Sequence, residues 1–173
     1  MMMTGGNGTF RVLGFNGRAY LQVGGLPDGW AVKSITVDGD DVTNQPIDLS
    51  TGRNRNVRIV LTDRVTEVTG SVDGATGAGD QERGDSTVVV FSQDESKWTY
   101  PSRYLRTTRS DDKGGFRIRG LPANERYLAV AVDYLEDGEG SDPEFLERMK
   151  DRATAFSLAD AERKAIDLRL IQR

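Results

Sequence analysis

Glycine placement constrains this chain more than any other feature. Its 20 glycines are spread over 173 residues and cut the sequence into short β-branched or alternating runs, the pattern of many short strands and tight turns. Val88-Val89-Val90-Phe91 is an apolar run of strand length, and Tyr127–Tyr134 (YLAVAVDY) is a Val-rich one. Val57–Leu61 and Ile166–Leu170 alternate cleanly and predict half-buried strands. In Trp30–Val37 the alternation slips at Ser34, which predicts a bulge or bend. One helix interrupts this pattern. Ser141-Asp142-Pro143-Glu144 reads as a capping box led by Ser141, with Pro143 in the first turn where a missing N–H costs nothing. Phe145, Leu146 and Met149 form an apolar stripe, and Arg148, Lys150 and Arg152 lie toward the negative end of the helix dipole. The helix is expected at 142–153, inserted in an otherwise all-β chain.

The chain has no Cys and no His. Disulfides, thiolate nucleophiles, Cys/His zinc sites and Ser-His or Cys-His catalysis are therefore excluded. Carboxylates, hydroxyls, Lys and Arg remain. The net charge of −4 argues against a nucleic-acid partner, which calls for a basic stripe. Residues 1–64 carry 7 basic and 6 acidic side chains and residues 65–173 carry 16 and 21, so neither part is a polybasic membrane anchor. No apolar run approaches the roughly 20 residues of a membrane span, and the start, Met1–Gly6, has neither the positive nor the apolar region of a signal peptide.

An internal repeat organises the runs. Gly8-Thr9-Phe10-Arg11-Val12-Leu13-Gly14 resembles Gly114-Gly115-Phe116-Arg117-Ile118-Arg119-Gly120. Tyr20–Val23 resembles Tyr127–Val130, and Leu49, Val57, Ile59 and Leu61 match Leu158, Ile166, Leu168 and Leu170. The second copy has two or three strands ahead of its Gly114, in Glu67–Val72 and Thr87–Ser92. The first has only about seven residues ahead of its Gly8. Two units follow, an incomplete β-sandwich over 1–64 and a complete one over 65–173. An incomplete sandwich leaves strand edges unpaired. Truncation from a longer array, packing against the second copy, or strand exchange with another chain would each compensate.

The matched phrases carry a family pattern. Val68-Thr69-Gly70-Ser71-Val72-Asp73, Asp111-Asp112-Lys113-Gly114-Gly115-Phe116-Arg117-Ile118, Gly120-Leu121-Pro122-Ala123 and Tyr127-Leu128-Ala129-Val130-Ala131 resemble the carboxypeptidase regulatory-like domain. The resemblance covers 66–170 well and 8–61 in part. It departs at Ala123-Asn124-Glu125-Arg126, where the family more often has Pro-Gly before the Tyr. It implies tandem Ig-like or transthyretin-like β-sandwiches with a carbohydrate-binding-like fold. It also implies a non-catalytic binding or structural module, without cofactors, in a larger exported bacterial protein of the periplasm, cell surface or exterior. In such a domain Asp111 or Asp112 with Gly114-Gly115 makes a hairpin turn, and Phe116, Ile118, Leu121 and Tyr127 share one core.

Four constellations bear on function. Trp98, Tyr100, Arg103 and Tyr104, with Arg106, could form a sugar or peptide surface; equally, Trp98 and Tyr104 could cover the sandwich end or pack on the helix. Asp133, Glu136, Asp137 and Glu139, with Asp142, offer enough carboxylates for Ca²⁺ but lack EF-hand spacing, and a solvated loop leading into the helix explains them as well. A carboxylate-based hydrolase needs two acids converging in a cleft. Arg83-Gly84-Asp85-Ser86 is an RGD sequence expected in a loop. Ser110 to Lys113 fits S-x-x-K, but the strand expected after it is the wrong context. Expected partners are a glycan or protein, or a second copy of the chain through unpaired edges.

Overall fold

The structure is a computed structural model that describes residues 2–4, 8–12, 16–50, 55–74 and 86–172. The RGD sequence lies outside them, apart from Ser86. The chain divides into two compact units, Met1–Thr62 and Asp63–Arg173; the break expected between 64 and 65 lies two residues later. The all-β class holds, with one α-helix among the described residues.

Among the described residues, the first unit contains three small sheets. Strands β1 (Met2–Thr4) and β2 (Phe10–Val12) pair antiparallel, as do β3 (Arg18–Ala19) and β6 (Ile47–Asp48). Strand β4 (Ala31–Val37) lies between β5 (Asp40–Asp41) and β7 (Val57–Thr62). The β4–β7 register shifts between Val32 and Ser34, at the position where the alternation slips. Ile35, Val37 and Ile47 are buried, whereas Tyr20, Trp30 and Leu61 are 40, 47 and 39 % exposed.

The second unit contains β8 (Glu67–Asp73), β9 (Thr87–Ser92), β10 (Leu105–Arg109), β11 (Gly115–Arg119), β12 (Glu125–Val132), β13 (Thr154–Leu158), β14 (Arg163–Ala165) and β15 (Leu168–Ile171). One layer runs β10-β9-β12, with β13 on the far edge of β12. The other is β11-β8, with β14 on the far edge of β8. Strand β15 pairs parallel with both β12 and β8 and joins the layers. Val68, Val72, Val88, Val90, Phe116, Ile118, Leu121, Tyr127, Ala129, Ala131, Phe156, Leu158 and Leu168 fill the space between them. The four motif residues Phe116, Ile118, Leu121 and Tyr127 thus share one core.

The alternate residues of β9 and β12, namely Val89, Phe91, Leu128, Val130 and Val132, point to the outer face. There they meet Phe145, Leu146 and Met149 of helix α1 (Pro143–Lys150). Burial on both faces explains why these two strands read as continuous apolar runs. The helix is shorter than expected. Asp142, not Ser141, is its N-cap and accepts from Glu144 N at 2.9 Å, while Ser141 ends a 3-10 turn, Glu139–Ser141. After Lys150 the chain turns so that β13 can pair with β12 from Thr154.

Two further expectations differ from the structure. The Asp111–Gly115 turn closes locally, with Asp111 Oδ1 accepting from Lys113 N at 2.9 Å and Gly115 N at 2.8 Å and Gly114 at φ +79°. It is not a hairpin turn, because β10 pairs with β9 and β11 with β8. The turn carries the chain from one layer to the other. The internal repeat is not matched by topology either. Tyr20–Val23, aligned with the middle of β12, form no strand, since Gly24-Gly25-Leu26-Pro27 follow where β12 stays apolar. Strand β7 lies antiparallel to β4, whereas the corresponding β15 lies parallel to its neighbours.

Candidate functional site

The β9–β10 connection carries the aromatic and basic residues singled out in the sequence. It leaves the sheet through a 3-10 turn, Glu95–Lys97, capped by Asp94, which accepts from Ser96 N at 3.1 Å. Trp98 follows and is only 7 % exposed. Its indole Nε1 donates to Ser92 O at 2.7 Å, its ring meets Phe91 edge-on at 5.5 Å, and it belongs to the apolar layer under the helix. Of the two roles open to Trp98, the structure gives it the packing one. The edge of Trp98 that stays exposed lines a shallow groove together with Glu95, Pro143, Glu144, Glu147 and Arg148, and the Lys150 ammonium stands 6.0 Å above the indole while pairing with Glu95.

Tyr100 is 84 % exposed at the tip of the loop. The loop around it is tied down by Ser102, whose Oγ donates to Lys97 O at 2.7 Å and accepts from Tyr104 N at 3.2 Å. Arg103, Tyr104 and Arg106 are half-buried. Tyr104 packs against the inter-sheet core, with the Lys97 ammonium 4.7 Å from its ring centroid. Lys97 also pairs with Glu125 and lies 3.5 Å from Asp94. Desolvation works against the Lys97 charge, but the hydrogen bond and charge of Glu125 outweigh it and raise its pKa above the ordinary lysine value.

Tyr127, on β12, lies under this cluster. Its hydroxyl donates to Pro122 O at 2.7 Å, and its ring stacks on Phe156. Burial first, and then the negative charge of Glu125, push its pKa far above the usual phenol range, so it stays neutral. Arg106 Nη1 donates to Leu105 O at 2.8 Å and Ser102 O at 3.2 Å. Desolvation, followed by repulsion from Arg103, lowers the Arg106 pKa from the ordinary guanidinium value. Sequence reading missed Arg106 as a site residue in its own right; only the fold shows that its stem is sunk into the loop.

The structure thus keeps Tyr100, Arg103 and Tyr104 on one loop and sinks most of Trp98 under the helix, with its remaining edge in the groove. The acidic stretch behaves differently. Asp133, Glu136 and Asp137 are exposed, and half-buried Glu139 accepts from Glu136 N at 3.1 Å and lies 3.7 Å from Arg148. Among the described residues no three acids, Asp133, Glu136, Asp137 and Glu139 included, come together in a group that could hold a metal ion. Ser110, from the S-x-x-K match, is buried against Ser86, hydroxyl to hydroxyl at 2.7 Å. No helix among the described residues is long and apolar enough to cross a membrane. Neither a protein-family model nor a curated protein matches this chain.

Proposed function

We propose that this chain is a non-catalytic β-sandwich module of the carboxypeptidase regulatory-like type. In this reading it is one part of a larger exported bacterial protein, and its Tyr100–Tyr104 loop contacts a glycan. The observation that carries the reading is an exposed tyrosine held on a tied-down loop. Tyr100 is 84 % exposed while Ser102, Tyr104 and Arg106 anchor both sides of it. A flat aromatic presented by a pre-ordered loop loses little conformational entropy when a sugar ring stacks on it. The shared core of Phe116, Ile118, Leu121 and Tyr127 supports the family resemblance. The full chain, screened against glycan and peptide panels, should bind members of the glycan panel, and Tyr100→Ala should weaken that binding. Absence of binding across both panels removes the ligand-binding reading, and binding confined to peptides redirects it.

A second reading is self-assembly through the first unit, as a repeat completed by strand exchange. Its support is the exposure of Tyr20, Trp30 and Leu61, against only Ile35, Val37 and Ile47 buried among the described apolar residues of that unit. Exposed large apolar side chains beside a thin core favour burial against a partner. Light scattering at high concentration separates the two readings, since a strictly monomeric chain eliminates assembly.

A further inference from the structure

Half-buried arginines normally meet a carboxylate, because a desolvated guanidinium is stabilised by a bidentate counter-ion. Arg106 meets none. Its hydrogen bonds go to two backbone carbonyls, Ser102 O and Leu105 O, and both come from Nη1. The Nε–Nη2 edge, the flat fork that matches a carboxylate, has no acceptor among the described residues. The acids around the loop are already engaged. Glu125 is held by Lys97 and by Ser92 Oγ at 3.2 Å, Asp94 by Ser96 and Lys97, and Glu95 by Lys150. The nearest like charge, Arg103, adds repulsion instead of relief. The buried phenol of Tyr127 lies close enough to feel the Arg106 charge, and exposed Tyr100 is on the same loop.

We infer that the open Nε–Nη2 edge of Arg106, with the positive charge of Arg103 beside it, binds the carboxylate of an acidic sugar. The inference rests on the glycan reading above and names its ligand class. An acidic sugar suits the loop, since its ring carbons match the exposed face of Tyr100 and its carboxylate matches the fork. Binding supplies Arg106 with a counter-ion.

The test is calorimetric titration of the full chain at low salt with a galacturonic acid tetrasaccharide and with the matching neutral galactose tetrasaccharide. The acidic sugar should bind roughly tenfold or more tightly than the neutral one, the scale of one charge-assisted hydrogen-bonded contact. Arg106→Gln should abolish that preference. Arg106→Lys retains charge and stem but lacks the fork, and should lose most of it, which keeps the test standing if Arg106→Gln does not fold. Equal affinity for the two sugars, or a preference unchanged in Arg106→Lys, overturns the carboxylate assignment while leaving glycan binding intact. Binding of neither sugar, together with an empty glycan panel, removes the glycan reading and this inference with it. Arg106-dependent capture of an acidic peptide instead overturns the sugar assignment.

Discussion

Gly70 is the position where one added carbon should do the most damage. It sits in the middle of β8, opposite Phe116 of β11, with an ordinary extended backbone. Its requirement for glycine is therefore one of space and not of φ. A Cβ built there meets Ile166 O at 1.6 Å, the carbon of the same carbonyl at 2.8 Å and Phe116 Cε1 at 3.0 Å. The first contact is to backbone, so rotation of a side chain cannot relieve it; the β14–β15 link must move by well over an ångström. That link is held to β8 by Ile166 N donating to Thr69 O at 2.9 Å, Ser71 Oγ donating to Asp167 Oδ1 at 2.8 Å and Ser71 N donating to the same oxygen at 3.3 Å. At about 1 kcal/mol for each net hydrogen bond, their loss costs about 3 kcal/mol. Overpacking against Phe116 adds about 1–3 kcal/mol. A domain of this size has about 5–15 kcal/mol in all, and about 3 kcal/mol lowers its melting temperature by roughly 12–24 °C. Urea unfolding and thermal melts followed by circular dichroism measure this for Gly70→Ala. Gly120→Ala is the control, because Gly120 has φ +75° but nothing within 4 Å of its Cβ, so only backbone strain of about 1–2 kcal/mol applies. A Gly70→Ala loss no larger than that of Gly120→Ala would refute the reasoning.

Three further outcomes follow from the second unit. Asp142→Ala removes the cap that accepts from Glu144 N and should cost about 1 kcal/mol in urea unfolding, whereas Ser141→Ala should cost much less, reversing the order expected from the capping box. Tyr127→Phe leaves Pro122 O without the hydroxyl donor at 2.7 Å and should lower stability by about 1–2 kcal/mol, with no change in tryptophan fluorescence because the Trp98 contacts lie on the opposite face. The Glu67 pKa is lowered from the ordinary glutamate value of 4.5, chiefly by its hydrogen bond to the Arg119 guanidinium. A carboxyl more acidic in the folded than in the unfolded chain contributes stability above the unfolded value, and that contribution is lost as pH falls through the folded value. Stability should therefore decline on acidification below about pH 4.5, and Glu67→Gln should flatten part of that slope in acid titrations of the melting temperature. A variant with an unchanged slope would mean that the Arg119 pair contributes nothing.

Much of the fold is legible residue by residue. The runs that became β8, β9 and β12, the bulge at Ser34 and the helix around Phe145 all carry local signals: period-two alternation, β-branched residues, a slipped alternation and a helical apolar stripe. Hidden features depend on long-range pairing. The Asp111–Gly115 segment has the composition of a hairpin turn, yet its flanking strands find partners in opposite layers, and turn chemistry cannot specify which partners those are. Similarly, Tyr20–Val23 resembles the middle of β12 but sits beside Gly24, Gly25 and Pro27, which withhold the pairing that the likeness suggests. The same limit applied to the candidate site, because Trp98 and Tyr100 are two residues apart and identical in kind on paper. Packing under α1 leaves only an edge of Trp98 at the groove, whereas Tyr100 stays accessible.

By itself, the sequence determined that this is a β-rich chain with one short amphipathic helix, and that any chemistry must dispense with Cys and His. Those properties are written in composition and in spacings of a few residues. Tertiary structure alone decided that the helix forms a third layer over β9 and β12, that Gly70 must be bare for the Ile166 carbonyl to pass, and that Arg106 lies half-buried with its fork open. Each of these is a meeting of residues distant along the chain or sunk into it, where desolvation and excluded volume act through space.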